Sequence, residues 1–368
     1  MGYGIRDIDK VFVKYHDRLV GTPMMSPNSE SVVFQYAEEW LANGFSISPL
    51  ELKLENRLFI APRNPFYGNF GIFEDSMPDG YGRYLLNRIL REQGIDDFSL
   101  TPLQRLAIVG SAGMGALCYE PAIEVAAGVA LPELDKLQQL ALDVLSEKQT
   151  KGADVLYFNS GNSGGCHPKC LLHQNGKDWL VKFRHTYDPK DIGEQEYRYM
   201  QLAAKCGIEI PACRLIQGKY FASQRFDRTE EGERIHVATA AALLTESINP
   251  PKTDYKTLLS LTGWLTQSPQ QVEQMFRRMV YNVLIENKDD HAKNFTFLWR
   301  DGKWSLAPAY DLLPCIEGYH GQHATSVMCK GNPAEEDMIA AGESIRINAH
   351  RGKQIINEIK DLLSGTVR

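Results

Sequence analysis

The sequence lacks the features that mark several large classes of protein. Its seven cysteines are scattered and no two of them form a CxxC pair, so neither a disulfide framework nor a zinc ribbon is predicted. The pair His320 and His323 has no further ligands at zinc spacing, so a loop or packing role is expected there. No apolar run approaches the roughly 18 residues that a membrane-spanning helix requires. The first residues contain no apolar segment of the kind found in secretory signals. We therefore expect a protein of the reducing cytoplasm that does not enter a membrane.

The chain also has no excess of positive charge, no internal repeat and no low-complexity segment. Its 368 residues carry a formal net charge of -6, which weighs against direct binding to a nucleic-acid backbone, because such binding needs a concentrated basic surface. Hydrophobic residues make up 43% and charged residues 23% of the chain, as in ordinary globular proteins. The length suffices for two or three packed units.

Turn and helix-capping signals indicate that the chain begins with a mixed α+β subdomain, residues 1–125. Alternating residues predict a strand at 10–15. A helix is expected from about Asp79 to Gln93, with Asp79 as its N-cap. Thr101 opens a second short helix by the same chemistry, with a proline in its first turn.

The rest of the chain separates into two further predicted parts. Residues 126–228 contain a helix with one apolar face and become strand-rich from 151 onward. The pair Asn175-Gly176, between two alternating runs, predicts a β-hairpin. Residues 229–368 are predicted to be mainly helical, with a short hairpin that turns at Asp301-Gly302. This order is typical of a two-lobed nucleotide-binding enzyme, although architecture alone does not determine function.

A loop of small residues at 160–169 is the first candidate for binding a nucleotide. It reads Ser-Gly-Asn-Ser-Gly-Gly-Cys-His-Pro-Lys. Glycines allow backbone N–H groups to converge on an anion, and Lys169 adds a positive charge. The Walker pattern GxxxxGK[ST] is absent, and glycine-serine loops also form plain turns. The composition of this phosphate-loop candidate therefore leaves both interpretations open.

Lys182 stands in an apolar strand that reads Trp-Leu-Val-Lys-Phe at 179–183. A lysine that faces the core needs a carboxylate partner or a bound anion. Glu194 and Glu196 follow on the next helix, which is similar to the strand lysine and helix glutamate of protein kinases. An edge-strand lysine that faces water would have the same sequence, so both interpretations stay open.

The most informative polar cluster is Asn-Lys-Asp-Asp-His-Ala-Lys-Asn at 287–294. Asp289, Asn294 and the later Asp311 carry the oxygen donors that Mg²⁺ prefers alongside phosphates and water. An Asp followed five residues later by an Asn, with another Asp downstream, is the spacing of the kinase catalytic loop. Apolar runs flank the cluster, which favours the floor of a cleft over a solvated turn. Asp289 is predicted to orient the hydroxyl that is phosphorylated, and Asn294 and Asp311 to hold the metal.

Together these motifs resemble the HipA family of bacterial toxin kinases over most of the chain. The resemblance includes Met-Pro-Asp-Gly-Tyr-Gly-Arg at 77–83, a GGxxPK-like segment at 164–169 and Gln-Arg-Phe-Asp-Arg at 224–228. It implies an α+β, two-lobed, protein-kinase-like fold, distantly lipid-kinase-like. An N-terminal mixed α+β subdomain and a mainly helical C-terminal lobe belong to that fold.

The resemblance also implies the roles of particular residues, with ATP and Mg²⁺ as cofactors. Asp289 is implied as the catalytic residue, and Asn294 and Asp311 as the metal ligands. The implied ATP-binding residues are Gly164, Gly165, His167, Lys169, Lys182, Gln224, Phe226, Asp227 and His291. His291 matches the middle of its motif, where we expect a supporting role. Gln224, Phe226 and Asp227 fall on the hinge segment beside the adenine.

By the same resemblance, the chain phosphorylates a serine on a cytoplasmic protein, an aminoacyl-tRNA synthetase in the studied family members. A helix-turn-helix antitoxin is the implied partner, and any DNA contact is then indirect, through that partner. Many members also carry an autophosphorylated serine just before the GGxxPK-like segment. Asn162 stands at that position here, with Ser163 and Ser160 on either side, so either serine could substitute or the switch could be missing.

Two other functions fit the sequence less well. One is an inactive nucleotide-binding scaffold or co-repressor that acts through an antitoxin partner. The intact set Asp289, Asn294 and Asp311 argues against it, because an inactive kinase relative commonly loses one of these residues. The other is a small-molecule kinase that acts on a sugar or a lipid headgroup.

Overall fold

The computed structural model describes Ile5 and residues 8–28, 30–126, 130–148, 151–160 and 165–366. The backbone forms two compact units. The first unit comprises Met1–Gly193 and Arg214–Val237, and the second comprises Glu194–Cys213 and Ala238–Arg368. The three-part division with boundaries at 125 and 228 stays a prediction.

The first unit begins with a five-stranded antiparallel sheet. Its strands are β1 (Phe12–Tyr15), β2 (Arg18–Met25), β3 (Val32–Tyr36), β4 (Phe59–Ile60) and β5 (Leu117–Glu120), in the order β4-β3-β2-β1-β5. Successive side chains of a strand point to opposite faces, and this alternation buries Val13 completely while Phe12 stays partly exposed. The strand predicted at 10–15 is confirmed over its last four residues.

The same region contains helices α1 (Glu38–Asn43), α2 (Gly71–Glu74), α3 (Gly80–Glu92) and α4 (Pro102–Val109). α4 begins as predicted, because the Thr101 hydroxyl accepts the Gln104 N–H while the Gln104 side chain accepts the Thr101 N–H. α3 also begins where predicted, directly after Asp79. However, the Asp79 side chain forms no capping hydrogen bond with its own helix. Its carboxylate bonds elsewhere in the unit.

A four-stranded sheet follows in the chain. Its strands are β6 (Lys169–Gln174), β7 (Lys177–Lys182), β8 (Cys213–Ile216) and β9 (Tyr220–Gln224), in the order β6-β7-β9-β8. The turn between β6 and β7 has φ of 54° at Asn175 and 72° at Gly176. These two positive angles are those of the tight hairpin turn that the Asn-Gly pair predicts, so the predicted hairpin is confirmed.

Helices α5 (Leu134–Leu145) and α6 (Ala153–Ser160) share one hydrophobic core with α3 and the four-stranded sheet. Leu85 and Leu90 of α3, Val144 of α5, and Val181 and Ala222 of the sheet are all completely buried. α3 therefore shares its core with the strands that carry Lys169 and Lys182, and α6 contacts both α3 and β6. Burial of this apolar surface stabilises the arrangement by roughly 25 cal/mol for each Å² removed from water.

The strand-rich interpretation of the region from 151 onward is wrong for α6. The run Val-Leu-Tyr-Phe at 155–158 is apolar at consecutive positions, a pattern that buried strands and buried helices share. Leu156 and Ser160 are both buried, and α6 packs against α3 and β6. These tertiary contacts, which the periodicity does not reveal, select the helix.

The chain passes from the first unit to the second within α7 (Ile192–Lys205) and again within β10 (His236–Thr239). The second unit then contains α8 (Ala240–Leu244), α9 (Tyr255–Thr266), α10 (Pro269–Leu284), β11 (Thr296–Arg300), β12 (Lys303–Leu306), α11 (Glu335–Glu343) and α12 (Ala349–Thr366). Ser268 caps α10, as its position before a proline indicates. The predicted hairpin at Asp301-Gly302 joins β11 to β12. Within the described ranges, every helix is too short or too polar to cross a bilayer.

Candidate functional site

The predicted nucleotide-binding residues Gly165, His167, Lys169 and Lys182 all lie in the first unit. Asp289, His291, Asn294 and Asp311 lie in the second unit. The predictions at Gly164, Ser163 and Asn162 fall outside the described residues.

Gly165 is held on both sides of its backbone. Its N–H donates to Asp79 Oδ1 at 2.6 Å, and its carbonyl oxygen accepts the N–H of Tyr81 at 3.1 Å. Asp79 and Tyr81 belong to the start of α3. The N-terminal region of the chain therefore fixes the described end of the phosphate-loop candidate.

His167 and Pro168 of the loop bond to the segment that follows β7. His167 Nε2 lies 3.3 Å from Asp188 Oδ1, and the Pro168 carbonyl oxygen accepts the Phe183 N–H at 2.8 Å. Burial acts to raise the pKa of Asp188, but hydrogen bonds from His167 and from the His185 N–H outweigh it and lower that pKa. Asp188 therefore stays ionised and is an acceptor beside the His167 ring.

Lys169 and Lys182 are direct partners across the β6–β7 hairpin. Lys169 is almost fully buried at 5% exposure, and the Lys182 ammonium lies 5.8 Å from the centre of the Phe221 ring. Like charges directly opposite each other destabilise a sheet. The Lys169 ammonium lies 3.0 Å from a Cβ placed on Gly165, and an ammonium group beside a loop backbone can stabilise an anion such as a phosphate group.

A cavity of about 230 Å³ adjoins Lys182 in the first unit. Among the described residues that line it are the cationic side chains of Lys182, Arg184, Lys190 and Lys219. The Lys219 ammonium is bonded to Asp135 at 2.8 Å. The cavity extends the positive surroundings of Lys182, and it does not include the loop residue Gly165.

The predicted hinge residues follow β9. Gln224 ends the strand opposite Trp179, and Phe226 is half-buried. Asp227 is 1% exposed and accepts hydrogen bonds from Arg225, Arg228 and the Gly115 N–H. Burial acts to raise the pKa of Asp227, but Arg225 and Arg228 outweigh it and lower that pKa. The Asp227 carboxylate therefore ties the hinge segment to Gly115 of the N-terminal region.

In the second unit, Asp289 lies in the turn after α10 and is exposed, whereas Asn294 ends a short 3-10 helix, Ala292–Asn294. The Asn294 amide nitrogen donates to the Asp289 carbonyl oxygen at 3.0 Å. This bond fixes the Asn294 side chain relative to the Asp289 backbone. It also directs the amide oxygen, which is the atom that could bind a metal, away from that carbonyl.

Asp311 belongs to the same part of the second unit. Its backbone is left-handed, with φ of 54°, a conformation that non-glycine residues adopt mainly when their surroundings enforce it. The Asp311 carbonyl oxygen accepts the Asn287 amide at 3.0 Å. The neighbouring Tyr310 hydroxyl donates to the Lys293 carbonyl oxygen at 2.7 Å. Both bonds link the Asp311 segment to residues 287–294.

A buried hydrogen-bond network lies beneath this turn, and the sequence motifs did not assign it. Asp290 is completely buried and accepts the Tyr255 hydroxyl at 2.8 Å and the Thr325 N–H at 3.2 Å, with His323 Nδ1 at 2.9 Å. The Asn282 amide donates to the Tyr255 hydroxyl oxygen, and Asn287 donates to Asn282. Burial and then Asp290 raise the pKa of Tyr255 well above its ordinary value.

A signal for this network was present in the sequence. Asp289 and Asp290 are adjacent in a polar turn between apolar runs, and whichever of the two is buried needs hydrogen-bond donors. Which of the two is buried depends on the nearby end of α10 and on α9 and residues 323–325, which are distant in sequence. His323, expected only to have a loop or packing role, supplies one of those donors.

Two further predicted site residues have buried polar atoms. His291 occupies the N-cap position of the short 3-10 helix that ends at Asn294 but makes no side-chain capping bond, and its Nδ1 atom is buried with no hydrogen-bond partner among the described residues. A buried unpaired nitrogen is unusual and is consistent with a partner supplied by a ligand or water. Ser160 is 1% exposed at the end of α6, and its hydroxyl donates to the Tyr157 carbonyl oxygen at 3.1 Å. Phosphorylation of Ser160 would require the last turn of α6 to open.

The chemical types of these residues fit a nucleotide with magnesium. Lys169 and Lys182 provide positive charge suited to phosphate groups. Asp311 and Asn294 provide hard oxygen donors. Among the described residues, no group of three or more His, Cys, Asp or Glu side chains is arranged to hold a metal ion. Magnesium that binds through one or two protein oxygens, with phosphates and waters as its other ligands, needs no such group.

Comparison with protein families gives two matches that together span most of the chain. The family model described as the HipA-like C-terminal domain matches residues 161–366, and that described as the HipA N-terminal domain matches residues 11–120. The first match alone covers more than half of the chain. It contains Gly165, Lys182, Asp289 and Asp311.

Two curated relatives come from Sinorhizobium fredii, and their names describe both as presumed kinases. The chain is 30% identical to Y4dM over 166 residues, or 39% of each protein. It is 29% identical to Y4mE over 139 residues, or 33% of this chain and 32% of that protein. The chain therefore spans less than half the length of each of these relatives.

A solved structure matches nearly the whole chain. It is that of the Shewanella oneidensis MR-1 toxin–antitoxin system HipA, HipB and its operator DNA complex. The match covers 96% of this chain and 91% of that one, with a TM-score of 0.69 and 18% sequence identity. This likeness confirms the predicted fold class, a mixed α+β fold of the kinase-like type.

Proposed function

Because the chain belongs to the HipA family, we propose that it is an ATP- and Mg²⁺-dependent protein serine/threonine kinase of a type II toxin–antitoxin system. It transfers the γ-phosphate of ATP to a serine of a target protein and to a serine of its own. The family resemblance suggests an aminoacyl-tRNA synthetase as the target. The names of Y4dM and Y4mE support the kinase assignment.

In this proposal, the first unit binds the nucleotide. Gly164 and Gly165 bring the loop backbone close to the phosphates, and Lys169 and Lys182 neutralise part of their charge. His167 holds the loop through Asp188. Gln224 and Phe226 lie beside the adenine, and Asp227 keeps the hinge backbone in place through its arginine bonds.

The second unit performs the transfer in the same proposal. Asp289 orients the substrate hydroxyl and accepts its proton. Asn294 and Asp311 would hold Mg²⁺, which neutralises charge on the phosphates when bound. His291 supports the turn that carries these residues. The exposure of Asp289 suits a residue that must meet a protein substrate.

The observation that carries the proposal is the set of hydrogen bonds joining Asp289, Asn294 and Asp311. Asn294 bonds directly to Asp289, and Asn287 bonds to Asp311 from within the same turn. A solvated turn would not need this positioning of two separate segments above the buried network of Asp290. Phosphoryl transfer does need it, because most of its catalysis is positioning and electrostatic stabilisation.

We extend the proposal to a partner. The similar Shewanella oneidensis structure is a complex of HipA with HipB and operator DNA. By analogy, a helix-turn-helix antitoxin binds this chain and mediates any contact with DNA. The net charge of -6 is consistent with DNA binding through a partner rather than directly.

The proposed function is tested by replacing the catalytic carboxylate. Asp289→Asn is expected to lower γ-phosphate transfer from ATP by at least about a hundredfold, because general base catalysis contributes roughly 10²–10⁴-fold. Transfer is measured with labelled ATP and Mg²⁺ on the purified protein, and by phosphoproteomics of cells that express wild type or variant. The phosphoproteomic comparison also identifies the substrate.

Asp301→Asn is the matched control, since Asp301 is an exposed aspartate in the β11–β12 turn of the same unit. Its transfer rate should equal that of wild type. Equal labelling by Asp289→Asn and wild type would show that the catalytic assignment is wrong. ATP binding by wild type without any transfer would favour the inactive scaffold instead.

A further inference from the structure

Three consecutive residues before and at the start of α3, Asp79, Gly80 and Tyr81, contact Gly165 at the described end of the phosphate-loop candidate. We name them the loop clip. The contacts join positions 86 residues apart, from Asp79 to Gly165. They lie wholly within the first unit. None of the three residues belongs to the set that the motifs assign to ATP or metal.

Each clip residue makes a different contact with Gly165. The Asp79 carboxylate accepts the Gly165 N–H at 2.6 Å, and the Tyr81 N–H donates to the Gly165 carbonyl oxygen at 3.1 Å. Gly80 has φ of 44°, and a Cβ placed on it would lie 2.6 Å from the Gly165 carbonyl oxygen and 2.9 Å from the Cys166 Cα. Only glycine at position 80 permits this approach.

The clip is rigidly supported. Asp79 occupies the N-cap position of α3 without capping it, so its carboxylate is directed at Gly165 rather than at its own helix. Leu85 and Leu90 fix α3 in the same core as Val181, one residue before Lys182. Because the loop is bonded to α3, Gly165 is held at a fixed position relative to the strands that carry Lys169 and Lys182.

We propose that the loop clip positions the phosphate loop for ATP, so that the N-terminal region of the chain sets the affinity of the nucleotide site. The inference rests on the proposed kinase function. Asp79, Gly80 and Tyr81 are positioning residues, because they act on ATP through Gly165 and do not touch the phosphates. Loss of the clip lets the loop leave its bound arrangement, and the apparent Kd for ATP rises as the docked fraction falls.

The clip would instead weaken ATP binding if the Asp79 carboxylate competed with a phosphate oxygen for the Gly165 N–H. The geometry favours positioning. Gly165 is bonded through its carbonyl as well as its N–H, and the close approach of Gly80 adds a third contact. A competing carboxylate would need only the N–H. If the clip positions the loop, its loss weakens ATP binding, and if it competes with phosphate, its loss strengthens binding. One measurement of the Kd therefore separates the two alternatives.

The test combines hydrogen–deuterium exchange with nucleotide binding on the full chain. In Asp79→Ala, the peptide that contains Gly165 should exchange faster without nucleotide. The Kd of a fluorescent ATP analogue should rise roughly tenfold, as expected for loss of a charge-assisted hydrogen bond. Gly80→Ala should have the same two effects by steric displacement. Asp79→Asn, which keeps an acceptor oxygen, should restore most of the affinity.

Matched controls separate the clip from general destabilisation. Gly94→Ala introduces a Cβ at another left-handed glycine next to α3, with φ of 72° and no atom within 4 Å of that Cβ. Asp96→Ala removes an aspartate that caps only its local 3-10 turn. Both should leave exchange at Gly165 and the Kd for ATP unchanged, and Tm is measured for every variant.

Unchanged exchange at Gly165 in Asp79→Ala and Gly80→Ala would overturn the clip. Faster exchange with unchanged or tighter ATP binding would overturn its positioning role. The exchange measurement needs no nucleotide and no catalysis. It therefore decides whether the clip exists even if the wild-type chain proves unable to transfer phosphate. A failure of the clip can thus be distinguished from a failure of the kinase proposal.

Discussion

Asp289 and Asp290 are adjacent aspartates in opposite environments. Asp289 is exposed, whereas Asp290 is completely buried and accepts hydrogen bonds from Tyr255 and the Thr325 N–H. A buried carboxylate is tolerated only when donors surround it. At the scale of single residues, Asp290 thus serves to fix the turn, and Asp289 is presented to solvent for the chemistry that we propose.

His236 is a second residue whose state depends on burial. It is 1% exposed in β10, and its Nε2 donates to the Ile47 carbonyl oxygen at 2.8 Å. Burial lowers the pKa of His236 to about 4, although the bond to Ile47 acts to raise it. Between this pKa and the ordinary value near 6.5, the unfolded chain binds a proton that the folded chain does not bind. Stability therefore falls as the pH drops through this window.

We predict that wild type loses about 2 kcal/mol of unfolding free energy through His236 between about pH 7.5 and about pH 5. His236→Gln cannot titrate and can still donate to Ile47, so it should lack this part of the pH dependence. Urea unfolding at both pH values measures the difference. Identical pH dependence in the two proteins would show that His236 is protonated equally in the folded and unfolded states.

At the scale of elements, the proposed catalytic turn depends on two helices that supply the donors beneath it. Tyr255 is the first residue of α9, and Asn282 lies near the end of α10. The Tyr255 hydroxyl connects them, because it accepts from Asn282 and donates to Asp290. One oxygen atom thus couples both helices to the turn that carries Asp289.

Tyr255→Phe removes only this oxygen. We predict a loss of about 1–3 kcal/mol of unfolding free energy, because Asp290 and Asn282 would keep unsatisfied buried polar atoms. We also expect kcat for phosphoryl transfer to fall more than the KM for ATP rises, since the turn is displaced and the phosphate loop is not. Urea unfolding and steady-state kinetics measure the two effects.

Tyr67→Phe is the control for Tyr255→Phe, since Tyr67 is 87% exposed. It should match wild type in both assays. If Tyr255→Phe destabilised the chain yet kept the wild-type kcat, the network would be structural only, with no effect on the placement of Asp289.

The β6–β7 hairpin shows what local sequence can achieve at this scale. Asn175 and Gly176 both adopt positive φ, which few other pairs do readily. Their turn fixes the register that places Lys169 opposite Lys182. A short-range signal therefore determines a feature of the candidate site. In contrast, α6 was missed because its apolar run has no helical period, and its contacts with α3 and β6 decide its form.

At the scale of the whole molecule, a ligand that binds only the folded state must stabilise it. Saturation at about 100 times the Kd adds roughly 2.7 kcal/mol of unfolding free energy. We predict that ATP with Mg²⁺ raises the Tm of the wild-type chain, and that EDTA removes most of this shift. Differential scanning fluorimetry measures it.

Asp311→Asn should keep a Tm shift with ATP but lose most of its dependence on Mg²⁺, because an amide replaces the carboxylate ligand. The exposed Asp301→Asn serves again as the control and should respond like wild type. A Tm shift that is equally large with EDTA and with Mg²⁺ in wild type would contradict the metal assignment of Asp311.

The sequence by itself determined the local features. Helix starts at Thr101 and Ser268 and the Asn175-Gly176 turn follow from backbone preferences and from donors within a few residues. It also determined the family and the order of the motifs, because the chemistry of phosphoryl transfer demands particular side chains at particular spacings.

Tertiary structure alone decided which of two adjacent aspartates is buried and where the Asp79 carboxylate bonds. The N-cap position of Asp79 was predictable, but its actual partner, Gly165, lies 86 residues away. Likewise, the donors to Asp290 come from positions 35 and 33 residues distant. Hydrogen bonds between positions so distant in sequence, and the burial of their side chains, depend on how the core packs. The free energy of that packing is a property of the whole fold rather than of any local segment.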